Sequence, residues 1–179
     1  MSLVKIAVVG AECSGKSTLC QALALHYNTL FVPEYACEYL AKLSNPTQYT
    51  QADIGSINIG QLQHEHALAQ RANKLLLCDT APLVNKVWCD VKYGACPTPI
   101  LQSVTENTYD YYLLASPDIP WEYAPFREHA NERQQLFERY KNELLSFNFK
   151  FEIIHGTLVQ RMQQCTQIIE TTWGISTSS

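Results

Sequence analysis

The chain has 179 residues, 46% hydrophobic and 17% charged, with a formal net charge of -4 and a pI near 5.7. That length fits one domain with a substantial core, and the composition is globular rather than disordered. The acidic balance excludes a general field for nucleic acid, no apolar run approaches the roughly 20 residues of a membrane span, and no signal-peptide pattern opens the chain.

In chain order, LVKIAVV (Leu3–Val9) predicts a first buried strand. It runs directly into GAECSGKST (Gly10–Thr18), whose frame G-x-x-x-x-G-K-[ST] is a phosphate-cradling P-loop, set between a strand and a helix as that motif requires. KSTLCQALALHY then carries helical apolar spacing. TLFVP (Thr29–Pro33) predicts a short strand stopped by its proline, and EYACEYLAKL (Glu34–Leu43) a helix ended by Ser44-Asn45-Pro46. A long polar helix is expected over Thr50–Ala72, broken near Gly55 or Gly60. KLLLCDT (Lys74–Thr80) predicts a third strand that ends in an acid. Helices over Pro82–Lys92 and Pro99–Asn107 follow, then a fourth strand, YDYYLLAS (Tyr109–Ser116). The proline- and charge-rich Pro117–Arg133 segment reads as a lid and opens a helix through Leu145. KFEIIHG (Lys150–Gly156) is the fifth strand, Leu158–Thr171 the last helix, and residues 174–179 a frayed tail.

Strands alternating with helices imply an α/β protein with a parallel sheet covered on both faces. With the phosphate loop after the first strand, this is a P-loop NTPase fold, and analogy with nucleoside and nucleotide kinases gives the strand order 2-3-1-4-5. Ligands of such sheets bind beyond the carboxyl ends of the strands. Gly10 and Gly15 allow the tight turn, and the backbone N–H groups around Cys13, Ser14 and Gly15 wrap the phosphates of ATP. Lys16 reaches the β- and γ-phosphates, Ser17 offers a hydroxyl to Mg²⁺, and Thr18 bonds the α-phosphate. Asp79, at the tip of the third strand, is the acid opposite Ser17; a helix cap is its plainer reading. Glu34 faces the acceptor side and can take a proton from a hydroxyl, or it is an ordinary first-turn glutamate.

Arg127 and Arg133 are placed to close over transferring phosphate. Tyr35, Tyr39, Trp88 and Trp121 can stack on a flat ring or serve as core. The acid Glu12 inside the loop would repel a γ-phosphate, so its side chain is expected to turn toward the acceptor pocket or Arg127. Cys13, Cys20, Cys37, Cys78, Cys89, Cys96 and Cys165 form no C-x-x-C pair and no zinc-like spacing, and read as thiols of a reducing cytoplasm. His64 and His66, two apart on a helix, point away from each other and do not chelate one ion.

GAECSGKSTL, PEYACEYL, LLLCDTAPLVNKVWCDVKYGACP and YDYYLLASPDIPWEYAPFRE together resemble, in order and spacing, the ribosylnicotinamide kinase domain of the NadR proteins and the wider NadR-like P-loop group. The acid inside the phosphate loop is part of that pattern. The resemblance implies a single P-loop kinase domain over residues 1–173. It transfers phosphate from ATP, with Mg²⁺, to the ribose 5′-hydroxyl of nicotinamide riboside. Lys16, Glu34, Asp79 and Arg127 would be catalytic, and Glu12, Glu34, Tyr35, Asp79, Trp88 and Trp121 would meet the acceptor. Three departures stand out: Ala81 where many relatives carry an acid, Ala124-Pro125-Phe126 ahead of Arg127, and no counterpart of the NadR adenylyltransferase domain or DNA-binding segment. Dinucleotide synthesis and repression are therefore not expected, nor is a nucleic-acid or membrane partner, while oligomeric state is not legible. The competing readings are a P-loop ATPase or nucleotide-binding regulator without a small acceptor, and a kinase for another nucleoside.

Overall fold

The computed structural model describes residues 2–106, 109–123 and 131–177. β1 (Val4–Val9), α1 (Lys16–His26), β2 (Leu30–Val32), α2 (Tyr35–Leu40) and α3 (Gln51–Ala69) are followed by β3 (Leu75–Asp79), α4 (Pro82–Tyr93) and α5 (Thr98–Glu106). β4 (Tyr111–Ala115), α6 (Arg133–Ser146), β5 (Phe151–Ile154) and α7 (Leu158–Trp173) complete the order. The five strands form one parallel sheet, β2-β3-β1-β4-β5, the order expected from the sequence.

The three inner strands, β3, β1 and β4, are largely apolar on both faces because both faces are covered. On one side Ala7, Val9, Leu76 and Leu114 pack with Leu136, Phe137 and Leu144 of α6 and Leu83 and Val87 of α4. On the other, Ile6, Val8, Leu77 and Leu113 meet Leu19 and Leu23 of α1 and Cys165 and Ile169 of α7. A third cluster, including Ala36, Leu40, Ile54, Ile57 and Ile100, joins α2, α3 and α5 away from the sheet.

Two helices begin on capping boxes, Thr50 with Asp53 at α3 and Thr157 with Gln160 at α7, each satisfying two backbone donors. α4 begins on Pro82 and stops at Gly94, whose φ of 79° is the left-handed turn of a helix end. α3 runs unbroken through Gly55 and Gly60, against the expected interruption. Gly55 faces open space, while Gly60 is the seat of the Tyr35 ring. α2 stops at Leu40, three residues short of expectation, in turns that precede Pro46.

Parallel strands put all their carboxyl ends on one edge. The phosphate loop after β1, Glu34 after β2, Asp79 at the end of β3 and Ser116 after β4 therefore gather there.

Candidate functional site: a phosphate loop opening into an apolar chamber

The loop between β1 and α1 folds tightly. Gly10 has φ 143°, and a Cβ there would lie 2.8 Å from the Ala115 carbonyl, so only glycine fits against β4. Gly15, at φ 79°, starts α1 with no side-chain cap and no acid in the first turn. The first N–H groups of α1 are thus left to an anion. Lys16 is only 9% exposed, and its ammonium donates back to the Ala11 carbonyl at 3.0 Å. Ser14 Oγ donates to the same carbonyl at 2.7 Å.

Two arginines hold this loop from outside. Arg161 of α7, buried, donates to the carbonyls of Gly156 at 2.9 Å and Ser116 at 2.9 Å, and to the Ser14 carbonyl and Asp118 carboxylate. Arg133, at the start of α6, donates to the Cys13 carbonyl at 3.1 Å and the Ile119 carbonyl at 2.9 Å. The Cys13 thiol donates to the Pro120 carbonyl at 3.5 Å and accepts from the Glu122 N–H at 3.2 Å. The 117–123 segment is thereby laced to the phosphate loop.

A cavity of about 270 Å³ opens from the loop. Gly10 and Glu12 through Thr18 line its polar end. Leu40, Val84, Val87, Trp88, Leu136 and Tyr140 are among the residues that make its other end apolar and aromatic. Glu34 lines it at the head of α2, in the helix N-cap position but without capping the helix. Burial pushes the Tyr140 phenol well up, and the nearby carboxylates of Glu34 and then Glu12 push it further. The Trp88 ring is locked: its indole N–H donates to the Tyr49 hydroxyl at 2.8 Å, and Lys92 sits 3.3 Å from the Tyr49 ring centroid.

Asp79 ends β3 almost fully buried, and its Oδ1 has no hydrogen-bond partner. Burial raises its pKa above the usual carboxylate range, against the downward pull of the Lys16 ammonium and the nearby Ser17 hydroxyl.

Of the residues expected from the sequence, the cavity brings together the phosphate loop, Glu12, Glu34 and Trp88. Among the described residues it does not include the others, Asp79 among them. The Tyr35 ring lies over Gly60 and edge-on to His64, 4.9 Å away. The Tyr39 hydroxyl donates to Asp53 at 2.8 Å. Trp121 lies against Arg133, 5.7 Å from guanidinium carbon to ring centre, and Arg133 itself is engaged with loop carbonyls. Arg127 and the departures at residues 124–126 lie outside the described residues. Sequence reasoning missed Tyr140, Arg161 and Gln61. Tyr140 carried the one available signal, an aromatic at core spacing from Leu136 and Phe137.

This sheet order, with the loop after its central strand, is the P-loop nucleotide-binding fold in its nucleoside-kinase form. The chain belongs to the family described as AAA domain, whose model matches residues 5–161. It is 27% identical over 176 residues to the trifunctional NAD biosynthesis/regulator protein NadR of Salmonella typhimurium, covering 94% of this chain and 42% of that protein. The Escherichia coli protein of the same name is 31% identical over 119 residues, 65% of this chain and 29% of its own length. The resemblance to NadR read from the motifs thus holds, and the chain spans less than half of these curated relatives. A crystal structure of a NadR protein in complex with NR superposes with a TM-score of 0.84 at 21% identity, covering 99% of this chain and 54% of that one. A deoxyadenosine kinase from M. mycoides superposes at 0.65 and 12% identity, over 94% of this chain and all of that one. At such identities these structures establish the fold. No described helix is long and apolar enough to cross a membrane.

Proposed function

We propose that this protein is an ATP-dependent kinase of the cytoplasm that phosphorylates a nucleoside hydroxyl, with nicotinamide riboside as acceptor and nicotinamide mononucleotide as product. One observation carries the proposal: the phosphate loop opens into the same cavity as an apolar, aromatic-walled chamber, with Glu12 and Glu34 also on its lining. An ATPase needs only the first half. A chamber walled by Trp88, Tyr140 and aliphatic side chains suits a flat, weakly hydrated ring, and carboxylates suit ribose hydroxyls. The NadR likeness, and the NR bound to one NadR protein, favour nicotinamide riboside among nucleosides.

In this reading the loop N–H groups and Lys16 hold the β- and γ-phosphates, and Thr18 meets the α-phosphate. Glu34 accepts the proton of the acceptor hydroxyl as that oxygen bonds to the γ-phosphorus. The bond from the γ-phosphorus to the bridging oxygen breaks, and ADP leaves. The residues fit a hydrated Mg²⁺, because Asp79 Oδ1 is buried, unpartnered and beside the exposed Ser17 hydroxyl. Ser17 and Asp79 would hold the ion, which when bound neutralises charge on the phosphates. Arg127 completes the proposal as a lid cation, while Arg133 serves by tying the lid's root to the phosphate loop.

ADP release measured over a panel of nucleosides tests this reading. Nicotinamide riboside should raise release well above the rate with ATP alone, and Lys16→Ala should abolish that rise in a folded chain. A flat response over the panel, with ATP still hydrolysed, would favour the ATPase.

A further inference from the structure

The ladder between β2 and β3 ends at the pair Val32–Cys78. The next residue, Pro33, has no N–H with which to continue it. Glu34 and Asp79, the two carboxylates on which the kinase reading depends, stand just past that last rung on separate strand tips. Asp79 is still paired with Val8 of β1, but the β2–β3 ladder no longer holds Glu34 beside it.

The bridge comes from α3. Gln61, 1% exposed, accepts a hydrogen bond from the Tyr35 backbone N–H at 2.8 Å. Its Nε2 donates to the Asp79 carbonyl at 3.5 Å, the long end of the range. The Tyr35 N–H is the first donor of α2 and, like the opening N–H groups of any α-helix, has no intrahelical acceptor. One buried amide therefore answers a helix donor on the β2 side and a strand carbonyl on the β3 side. The preceding residue lets α3 come this close: a Cβ on Gly60 would lie 2.1 Å from the Tyr35 ring. Tyr35, read from the sequence as an acceptor contact, is in this account the residue by which α3 grips the β2 tip.

We infer that Gln61 is a positioning residue, which sets Glu34 against Asp79 across the gap that Pro33 leaves in the ladder. It does not line the cavity. The inference rests on the kinase reading, in which Glu34 must sit within hydrogen-bond reach of the acceptor hydroxyl. A misplacement of about 1 Å at such a group lowers the rate by about 100-fold.

The test is steady-state kinetics of the full chain with ATP, Mg²⁺ and nicotinamide riboside, comparing wild type with Gln61→Met, which keeps length without the amide. kcat should fall about tenfold or more while the KM for ATP stays within about twofold, because the phosphate loop is untouched. Should Gln61→Met not fold, Gln61→Asn, one methylene too short to span the tips, carries the same readouts. An active wild type whose folded variants keep kcat, losing only thermal stability, overturns the inference alone. A wild type that transfers phosphate to no nucleoside overturns the kinase reading and this inference with it.

Discussion

Glu12 is an acid in a loop otherwise shaped to hold an anion. Among inward-pointing N–H groups its carboxylate would oppose the γ-phosphate over a few ångströms. Glu12 lines the cavity beside the phosphate-loop residues, and its charge, with that of Glu34, bears on the Tyr140 phenol. Glu12→Gln keeps the size and removes the charge. It should leave the KM for ATP within about twofold and either raise the acceptor KM or lower kcat. A gain in ATP affinity with acceptor kinetics unchanged would place the carboxylate at the phosphates. Residues of this kind were legible because a contiguous motif fixes their backbone: once Gly10, Gly15 and Lys16 are recognised, Glu12 has few places to go. Arg161 and Gln61 were not, because their partners lie far away in sequence. Arg161 meets Ser14 and Ser116, and Gln61 meets Tyr35 and Asp79. On a polar helix, nothing local separates such a residue from a solvated one.

At the scale of elements, the alternation of apolar runs with helical spacing carried the five strands and the helices between them, fold analogy supplied the sheet order, and the errors lay at helix ends and at glycines. Gly55 and Gly60 read alike in the sequence, both as weak points of α3. The structure separates them by what a methyl group would meet: nothing within 4 Å at Gly55, and the Tyr35 ring at Gly60. Gly55→Ala should therefore add helix propensity of about 1 kcal/mol and raise Tm by about 2–4 °C. Gly60→Ala gains the same propensity but must push the Tyr35 ring away, and should lower Tm. Thermal denaturation of the two variants side by side checks this; a higher Tm for Gly60→Ala would mean that the Tyr35 packing holds little. Trp88 and Trp121 make a similar contrast. Helical spacing on α4 carried Trp88 to the cavity, whereas Trp121, in an irregular segment with no periodicity to read, lies against Arg133 instead.

For the whole molecule, burial sorts the cysteines by reactivity. Desolvation holds the thiols of Cys20 and Cys78 far above their ordinary pKa and pushes those of Cys89 and Cys165 up to about 12. Cys37 is exposed, and both Cys37 and the half-buried Cys13 line the cavity. None of the seven is bridged. A thiol-directed reagent at neutral pH should modify Cys37 first and leave the four deeply buried thiols unmodified until the chain unfolds. Mg²⁺ and ATP should slow labelling at Cys13, which peptide mass mapping can follow. Early labelling of Cys20 or Cys165 would contradict the packing of α1 and α7 on the sheet.

In the proposed function the two ends of one cavity serve one reaction, with phosphate passing from the loop to a nucleoside held in the apolar chamber. The most direct measurement is mass spectrometry of nicotinamide riboside incubated with the protein, ATP and Mg²⁺. The account predicts a product heavier by one phosphoryl group, formed in step with ADP. ADP accompanied only by inorganic phosphate, with the riboside recovered unchanged, would contradict it.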